Sequence, residues 1–199
     1  DDKLLMKCIK NRLIYKGHNL YPEKVLAGFN VTKVAPKVSI FNAYLAKYLI
    51  LKYLNEFDTV FDPFSGYSGR LLGATAAGKF YIGQDINPIT ISESENLIKY
   101  FNINCKLKCE NSILDAGEYD CLLTCPPYAD KENWNMEITN NTCDAWIDIC
   151  LRNYNCKKYV FVVDTTTKYK DFIVEELINK SHFGINSEYV IVIDKQFNS

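Results

Sequence analysis

From Phe57 onward, apolar and polar residues follow two alternating patterns, short apolar runs and longer stretches of helical period. Thr59-Val60-Phe61 is β-branched and aromatic and predicts a short strand ending at Asp62. Ser68 to Ala77 predicts a helix with Gly78 as its C-cap. Phe80 to Gln84 predicts a second strand. Pro88 then opens a helix to about Tyr100, because the missing proline N–H is harmless in a first turn. Cys105 to Cys109 and Tyr119 to Thr124 predict a third and a fourth strand. A polar loop through about Asn141 precedes a helix near Thr142–Tyr154, a fifth strand over Lys158–Val163 and a helix over Lys170–Lys180. A last strand spans Glu188–Asp194. The stretch Ser181–Ser187 leaves no room for another helix, so the chain end is open to a hairpin. Upstream, Ile40 to Leu54 predicts an apolar, aromatic-rich helix preceded by a basic, less regular stretch.

Strands alternating with helices of this length imply βαβ units and a parallel sheet. No repeat, low-complexity tract or interdomain linker interrupts the pattern, so the expectation is a single α/β domain.

Composition narrows this only a little. With 199 residues, 48% apolar and 24% charged, the chain fits one globular domain. No apolar run approaches the roughly 20 residues that span a bilayer. The start, Asp1-Asp2-Lys3, lacks the basic-then-apolar order of a secretion signal, and it lacks an initiator Met, as a trimmed chain would. A cytoplasmic protein without a membrane partner is expected. The eight cysteines include no CxxC pair and fall largely in apolar stretches. Seven of them read as reduced core thiols, and Cys125 stands apart. His18 and His182 are isolated and nothing has zinc-ligand spacing, so no metal is expected.

Charge is unevenly distributed. Residues 1–52 hold ten Lys/Arg against three Asp/Glu, a balance of +7. Residues 53–148 hold six against fifteen, a balance of −9, and the remainder seven against six. This asymmetry reads either as solvated surface charge or as a phosphate-facing N-terminal segment beside an acidic pocket for a cation.

Three motifs carry chemistry, each at the end of a predicted strand. The first, Asp62-Pro63-Phe64-Ser65-Gly66-Tyr67-Ser68-Gly69-Arg70, joins a strand to a helix, and Gly66 lets a ligand approach the backbone. It is not a phosphate-binding Walker loop, because no Gly-Lys-Ser/Thr follows. The second, Gly83-Gln84-Asp85-Ile86-Asn87-Pro88, places an acid about 20 residues on, where it accepts hydrogen bonds from ribose hydroxyls. Asp85 reads otherwise as a cap for the helix that Pro88 begins. The third, Leu122-Leu123-Thr124-Cys125-Pro126-Pro127-Tyr128, ends its strand in two prolines. They remove donors, leave carbonyls unpaired and put an aromatic ring at the sheet edge, a setting for a planar, amine-bearing ligand.

The order DPFSG, GQDINP, TCPPY resembles the amino-methylating DNA methyltransferases of the N6-adenine and N4-cytosine types, in a form similar to phage and mobile-element methylases and to restriction-modification enzymes. The resemblance runs from about Ser39 to Asp194. It implies a Rossmann-like methyltransferase fold, a seven-stranded mostly parallel sheet with helices on both faces. Residues 1–38 are then a basic N-terminal segment and 39–199 the methyltransferase domain. It further implies S-adenosylmethionine as cofactor and a flipped DNA base as substrate. Carried over by position, Asp62, Pro63, Phe64, Ser65 and Gly66 line the methionine side. Asp85 holds the ribose, Ile86 packs on the adenine, and Asn111 or Ser112 reaches the adenine edge. Ser39 begins a flanking cofactor helix. Cys125, Pro126, Pro127 and Tyr128 hold the base, and Glu132 and Trp134 in the following loop read either as further contacts or as loop surface. A sulfonium cation suits an acidic, aromatic-lined pocket, and aiming the amine at the methyl group supplies much of the rate.

Two positions depart from the family pattern. Ser68 takes the place of the usual second glycine, which implies a slightly different turn. Cys125 stands where the family has Asp, Asn or Ser, and a thiol is a weak acceptor. Other readings are a C5-cytosine enzyme with Cys125 as nucleophile, an RNA N2-guanine or protein glutamine methyltransferase, and a fold that binds cofactor without turnover. After Asp194 only five residues remain, so sequence recognition falls to the basic N-terminal region, a second copy or a separate subunit.

Overall fold

The computed structural model describes residues 2–16, 28, 32, 40–127, 143–181 and 184–195. They form two units, Asp1–Ser39 and Ile40–Ser199. In the first, helix α1 (Asp2–Lys16) buries Cys8 against Gly28 and Thr32. The Cys8 thiol lies 3.3 Å from Thr32 Oγ1, and Thr32 in turn donates its own hydroxyl to Gly28 O at 2.8 Å.

The second unit holds a seven-stranded sheet in the order β3-β2-β1-β4-β5-β7-β6. Its strands are β1 (Thr59–Asp62), β2 (Phe80–Asp85), β3 (Cys105–Cys109), β4 (Gly117–Thr124), β5 (Tyr154–Asp164), β6 (Ile173–Ser181) and β7 (Gly184–Asp194). The first five are parallel to one another, and β7 runs antiparallel to both β5 and β6. The helices are α2 (Ala43–Tyr53), α3 (Gly69–Ala76), α4 (Pro88–Phe101) and α5 (Cys143–Asn153).

Strand side chains alternate between two buried faces, as a covered parallel sheet requires. Val60, Tyr81, Leu123, Val160 and Val190 meet Leu49 and Ile50 of α2, Leu71 and Ala74 of α3, and Leu97 of α4. Phe61, Leu122, Tyr159, Phe161 and Ile191 meet Ile147 and Cys150 of α5 on the other face. Helices therefore lie on both faces. The β3–β4 connection, residues 110–116, turns without a helix. No helix among the described residues is long and apolar enough to cross a membrane.

Two expectations are corrected. The predicted helix over Lys170–Lys180 is a one-turn 3-10 helix (Lys170–Phe172) leading into strand β6. Ile173, Glu175 and Leu177 are half-buried while Val174, Glu176 and Ile178 are exposed, a period of two that pairing with β7 enforces. Strand β5 also begins at Tyr154, four residues before its expected start, because β4 pairs with it from Gly117 onward. The second correction concerns thiols. Cys8, Cys121, Cys143, Cys150 and Cys156 are buried, but Cys109, expected in the core, is exposed at the end of the edge strand β3. Burial pushes the Cys143 and Cys156 thiols up to about 12, which keeps them protonated and apolar in character.

Candidate functional site

The chain moves outward from β1 to β2 to β3, then returns to place β4 on the other side of β1. That reversal opens a crevice beyond the carboxyl ends of β1 and β4, the usual ligand position in such sheets. All three motifs end there, after β1, β2 and β4.

The first loop is shaped by backbone and held by one carboxylate. Gly66 sits at φ 53, the left-handed region that glycine enters without steric penalty. Ser68 sits there too, at φ 62, with its hydroxyl buried and 2.7 Å from that of Ser94 on α4. This left-handed backbone is one that glycine adopts without penalty, and here a serine carries it. At Gly69, an added Cβ would come within 2.0 Å of the Phe41 carbonyl oxygen, so the segment leading into α2 packs directly on the start of α3.

Asp62 is fully buried. Its carboxylate accepts from Phe64 N at 3.1 Å, Arg70 Nε at 2.6 Å, Tyr81 OH at 2.6 Å and Thr124 Oγ1 at 2.7 Å. Arg70 also donates to the Phe64 carbonyl and lies over the Phe41 ring, 5.0 Å from its centroid. Burial works against the Arg70 charge, but Asp62 outweighs it and holds the guanidinium above its ordinary value. Burial first, then the same carboxylate, pushes the Tyr81 phenol well above its ordinary value. The structure thus places the Asp62 side chain as the anchor of three strands, β1, β2 and β4, with its hydrogen-bonding turned inward. What this position offers a ligand is the loop it fixes.

Asp85 is placed differently. It is half-buried, and its two oxygens accept from Asn87 N at 2.8 Å and Gly66 N at 3.0 Å, which clamps the second loop to the first. Burial raises its carboxyl above the usual carboxylate value, and those two N–H bonds oppose the rise. The cap of α4 is Asn87, whose side chain accepts from Ile89 N at 3.0 Å. Each Asp85 oxygen keeps acceptor capacity for a hydroxyl donor.

The remaining expected residues divide in the same way. Ile86 is half-buried beside Asp85. Pro63 and Ser65 are buried, and Ser65 N donates to Gln84 O at 2.8 Å. The Phe64 ring is half-buried and meets Trp146 of α5 edge-on at 5.1 Å. Asn111 closes its own turn by accepting from Ile113 N at 3.0 Å. Ser112, expected at the adenine edge, is buried and gives its hydroxyl to the Pro63 carbonyl, bracing the loop after β3 against the first motif. After β4, Cys125 is half-buried, Pro126 buried and Pro127 half-buried. Tyr128, Ser39, Glu132, Trp134, His18 and His182 lie outside the described residues.

Sequence reasoning did not single out Arg70, Thr124, Tyr81, Phe41 or Ser94. Arg70 and Thr124 stood inside the motifs, and Arg70, the one cation within the first loop, was the available signal. Tyr81 and Phe41 read as ordinary apolar positions.

As a sequence the chain matches no family model and no curated protein. Solved structures do match. One is a candidate RNA methyltransferase from Pyrococcus horikoshii, at TM-score 0.58 and 10% identity, covering 77% of this chain and 83% of that one. Another is magnesium protoporphyrin IX methyltransferase from Synechocystis PCC 6803 with bound S-adenosylmethionine, at TM-score 0.56 and 11% identity, covering 96% of both chains. A third is the tRNA (uracil-54, C5)-methyltransferase of Pyrococcus abyssi with S-adenosyl-L-homocysteine, at TM-score 0.52 and 16% identity, covering 78% of this chain and 40% of that one. The chain has the Rossmann-like methyltransferase fold.

Proposed function

We propose that this protein is an S-adenosylmethionine-dependent methyltransferase acting on an exocyclic amine of a nucleic-acid base, adenine N6 or cytosine N4 in DNA. One observation carries the reading. Three motif loops meet at one switch point, and the Asp62–Thr124 bond ties the cofactor-type loop directly to the strand that leads into Cys125-Pro126-Pro127.

The residues present fit the cofactor. Asp85 offers acceptors for ribose hydroxyls and Ile86 an apolar surface for a purine. At Gly66 a Cβ would find nothing nearer than 3.9 Å, so its backbone faces open space. When bound, S-adenosylmethionine supplies an electrophilic methyl group. The chain's own part is to aim the amine. The Pro126 carbonyl and the residue 125 side chain accept hydrogen bonds from it, and the paired prolines hold those acceptors rigid. A base at this depth must leave its stack. A separate recognition subunit or a second copy, as in restriction-modification systems, is part of this reading.

The test is transfer of labelled methyl from S-adenosylmethionine to unmethylated DNA and, in parallel, to RNA, followed by nucleoside mass spectrometry. N6-methyladenine or N4-methylcytosine in DNA is the expected product. 5-Methylcytosine would make Cys125 a nucleophile, and Cys125→Ser would then abolish activity, whereas amino methylation survives that change. Label confined to RNA overturns the DNA assignment.

A further inference from the structure

We infer that Asp164, at the carboxyl end of β5, is a second acceptor for the target amine and takes the proton that methylation releases. This rests on the amino-methylation reading above and adds a residue to the same site.

The need arises at position 125. An exocyclic amine carries two N–H groups, and on this reading the motif after β4 offers them the Pro126 carbonyl and the Cys125 thiol. A thiol is a weak acceptor. Methylation also leaves a proton to be removed. The nitrogen lone pair forms the new bond to the methyl carbon, and the carbon–sulfur pair stays on sulfur as that bond breaks. One N–H proton then passes to Asp164 and from there to water. A carboxylate takes such a proton far more readily than a backbone carbonyl does.

The topology brings Asp164 to the motif. Strands β4 and β5 are parallel, with Thr124 opposite Phe161. Strand β5 continues three residues beyond that pair, so its last residue, Asp164, comes level with Pro127. Neighbouring strands lie about 4.8 Å apart. Cys143, the first residue of α5, joins the two ends. Its thiol donates to the Pro127 carbonyl at 4.0 Å and accepts from the Asp164 backbone N–H. Burial first, then the Asp164 carboxylate, raise that thiol above its ordinary value, and Cys125 adds to the rise. Asp164, Pro127 and Cys125 thus gather round one buried sulfur.

The carboxylate is also held in place. Asp164 is half-buried, and its Oδ1 accepts from Thr166 N at 3.0 Å and from Thr166 Oγ1 at 2.6 Å. An ionised carboxyl has about four acceptor sites, so a turn built on Oδ1 leaves Oδ2 its own capacity. The other carboxylates near these strand ends are committed elsewhere. Asp62 serves Arg70, Tyr81 and Thr124, and Asp144 and Asp148 use both oxygens on Thr167, Lys168 and Tyr169.

The test is single-turnover transfer of labelled methyl to unmethylated DNA by the full chain carrying Asp164→Asn, with cofactor and DNA both saturating. Asparagine still accepts from Thr166 but takes no proton. The rate is expected to fall by about 100-fold, while melting temperature and the affinities for DNA and S-adenosylmethionine stay unchanged. A purely structural Asp164 predicts the reverse, full activity in the asparagine variant. Asp171→Asn removes the same charge from an exposed position in the turn beyond β5 and is expected to leave the rate unchanged. An unchanged rate in Asp164→Asn, an equal loss in Asp171→Asn, or a loss that follows a lowered melting temperature overturns the inference. If the wild-type chain methylates a DNA amine and Asp164→Asn keeps its rate, only this inference fails. If the wild-type chain labels no amine in DNA, the functional reading fails and this inference falls with it.

Discussion

The two halves of the cleft are built on different principles. The loop after β1 is held by side chains, with Asp62 joining Phe64, Arg70, Tyr81 and Thr124 in one buried network. The loop after β4 is held by covalent stiffness, two prolines that fix their own φ and remove donors. A network distributes its stability over many partners, so removing one member leaves others buried and unsatisfied. A proline turn loses little when a neighbouring side chain changes. Damage to the first half should therefore appear as lost folding stability, and damage to the second as altered turnover on an intact fold.

The largest break in that contrast comes at Asp62. Asp62→Ala leaves the Arg70 guanidinium buried without its carboxylate, a change that costs about 3–5 kcal/mol. For a domain of this size the thermal midpoint should fall by about 10 °C. Adding Arg70→Met is expected to recover part of the loss, because the unpaired charge is then gone. A midpoint that barely moves in Asp62→Ala would end the network description.

Tyr81 sharpens the same half through pH. Tyr81→Phe removes a hydrogen bond to an ionised group and is expected to cost about 1–3 kcal/mol at neutral pH. The folded-state phenol lies well above its ordinary value of 10.0. A raised value means full stabilisation below the unfolded value and loss as pH rises beyond it. The gap between wild type and Tyr81→Phe in denaturant unfolding should thus be constant to about pH 10 and shrink above it.

Cys125→Ser probes the other half. The residue is half-buried at a strand end, and the exchange keeps its size, so stability should change by less than about 1 kcal/mol. A hydroxyl is a better acceptor than a thiol, and one neutral hydrogen bond is worth about 1 kcal/mol. Single-turnover methyl transfer should rise by about fivefold with the melting curve unchanged. A large stability loss here would erase the distinction between the halves.

What the sequence made legible follows from the range of the forces involved. Strands β1, β2 and β4 were readable because their apolar residues fill both faces of a covered sheet, and Pro88 and Asn87 signalled α4 locally. Strand β6 was not readable. Glu175, Glu176, Leu177 and Lys180 are good helix formers, and only the register with β7, whose partner residues lie further along the chain and outside the reach of local propensity, selects the extended form. The motifs were legible as loops that follow β1, β2 and β4. The direction in which Asp62 points was not, since a carboxylate in a loop serves a ligand or a guanidinium equally well until Arg70 is packed beside it. Asp85 has as partners backbone N–H groups two residues away and in the adjoining motif, and Asn87 takes the capping role.

Ser68 gives the smallest and most discriminating effect. Its left-handed backbone costs a residue with a Cβ about 1–2 kcal/mol, and its buried bond to the Ser94 hydroxyl, 2.7 Å long, returns about 1 kcal/mol. Ser68→Gly gives up the bond and relieves the strain, so its net effect should lie within about 1 kcal/mol of zero. Ser68→Ala gives up the bond and keeps the strain, and it leaves the Ser94 hydroxyl buried without its partner. Equilibrium unfolding should therefore rank the alanine variant below the glycine variant by about 1–2 kcal/mol. Ser94→Ala loses the same bond, keeps the strain and leaves the Ser68 hydroxyl buried without its partner, so it should fall close to Ser68→Ala. If alanine and glycine at 68 were equal, the left-handed turn would be indifferent to its side chain. The first loop would then owe its shape to Asp62 and Gly66 alone, and the serine in the second glycine's place would be a neutral exchange rather than a strained residue held in place by α4.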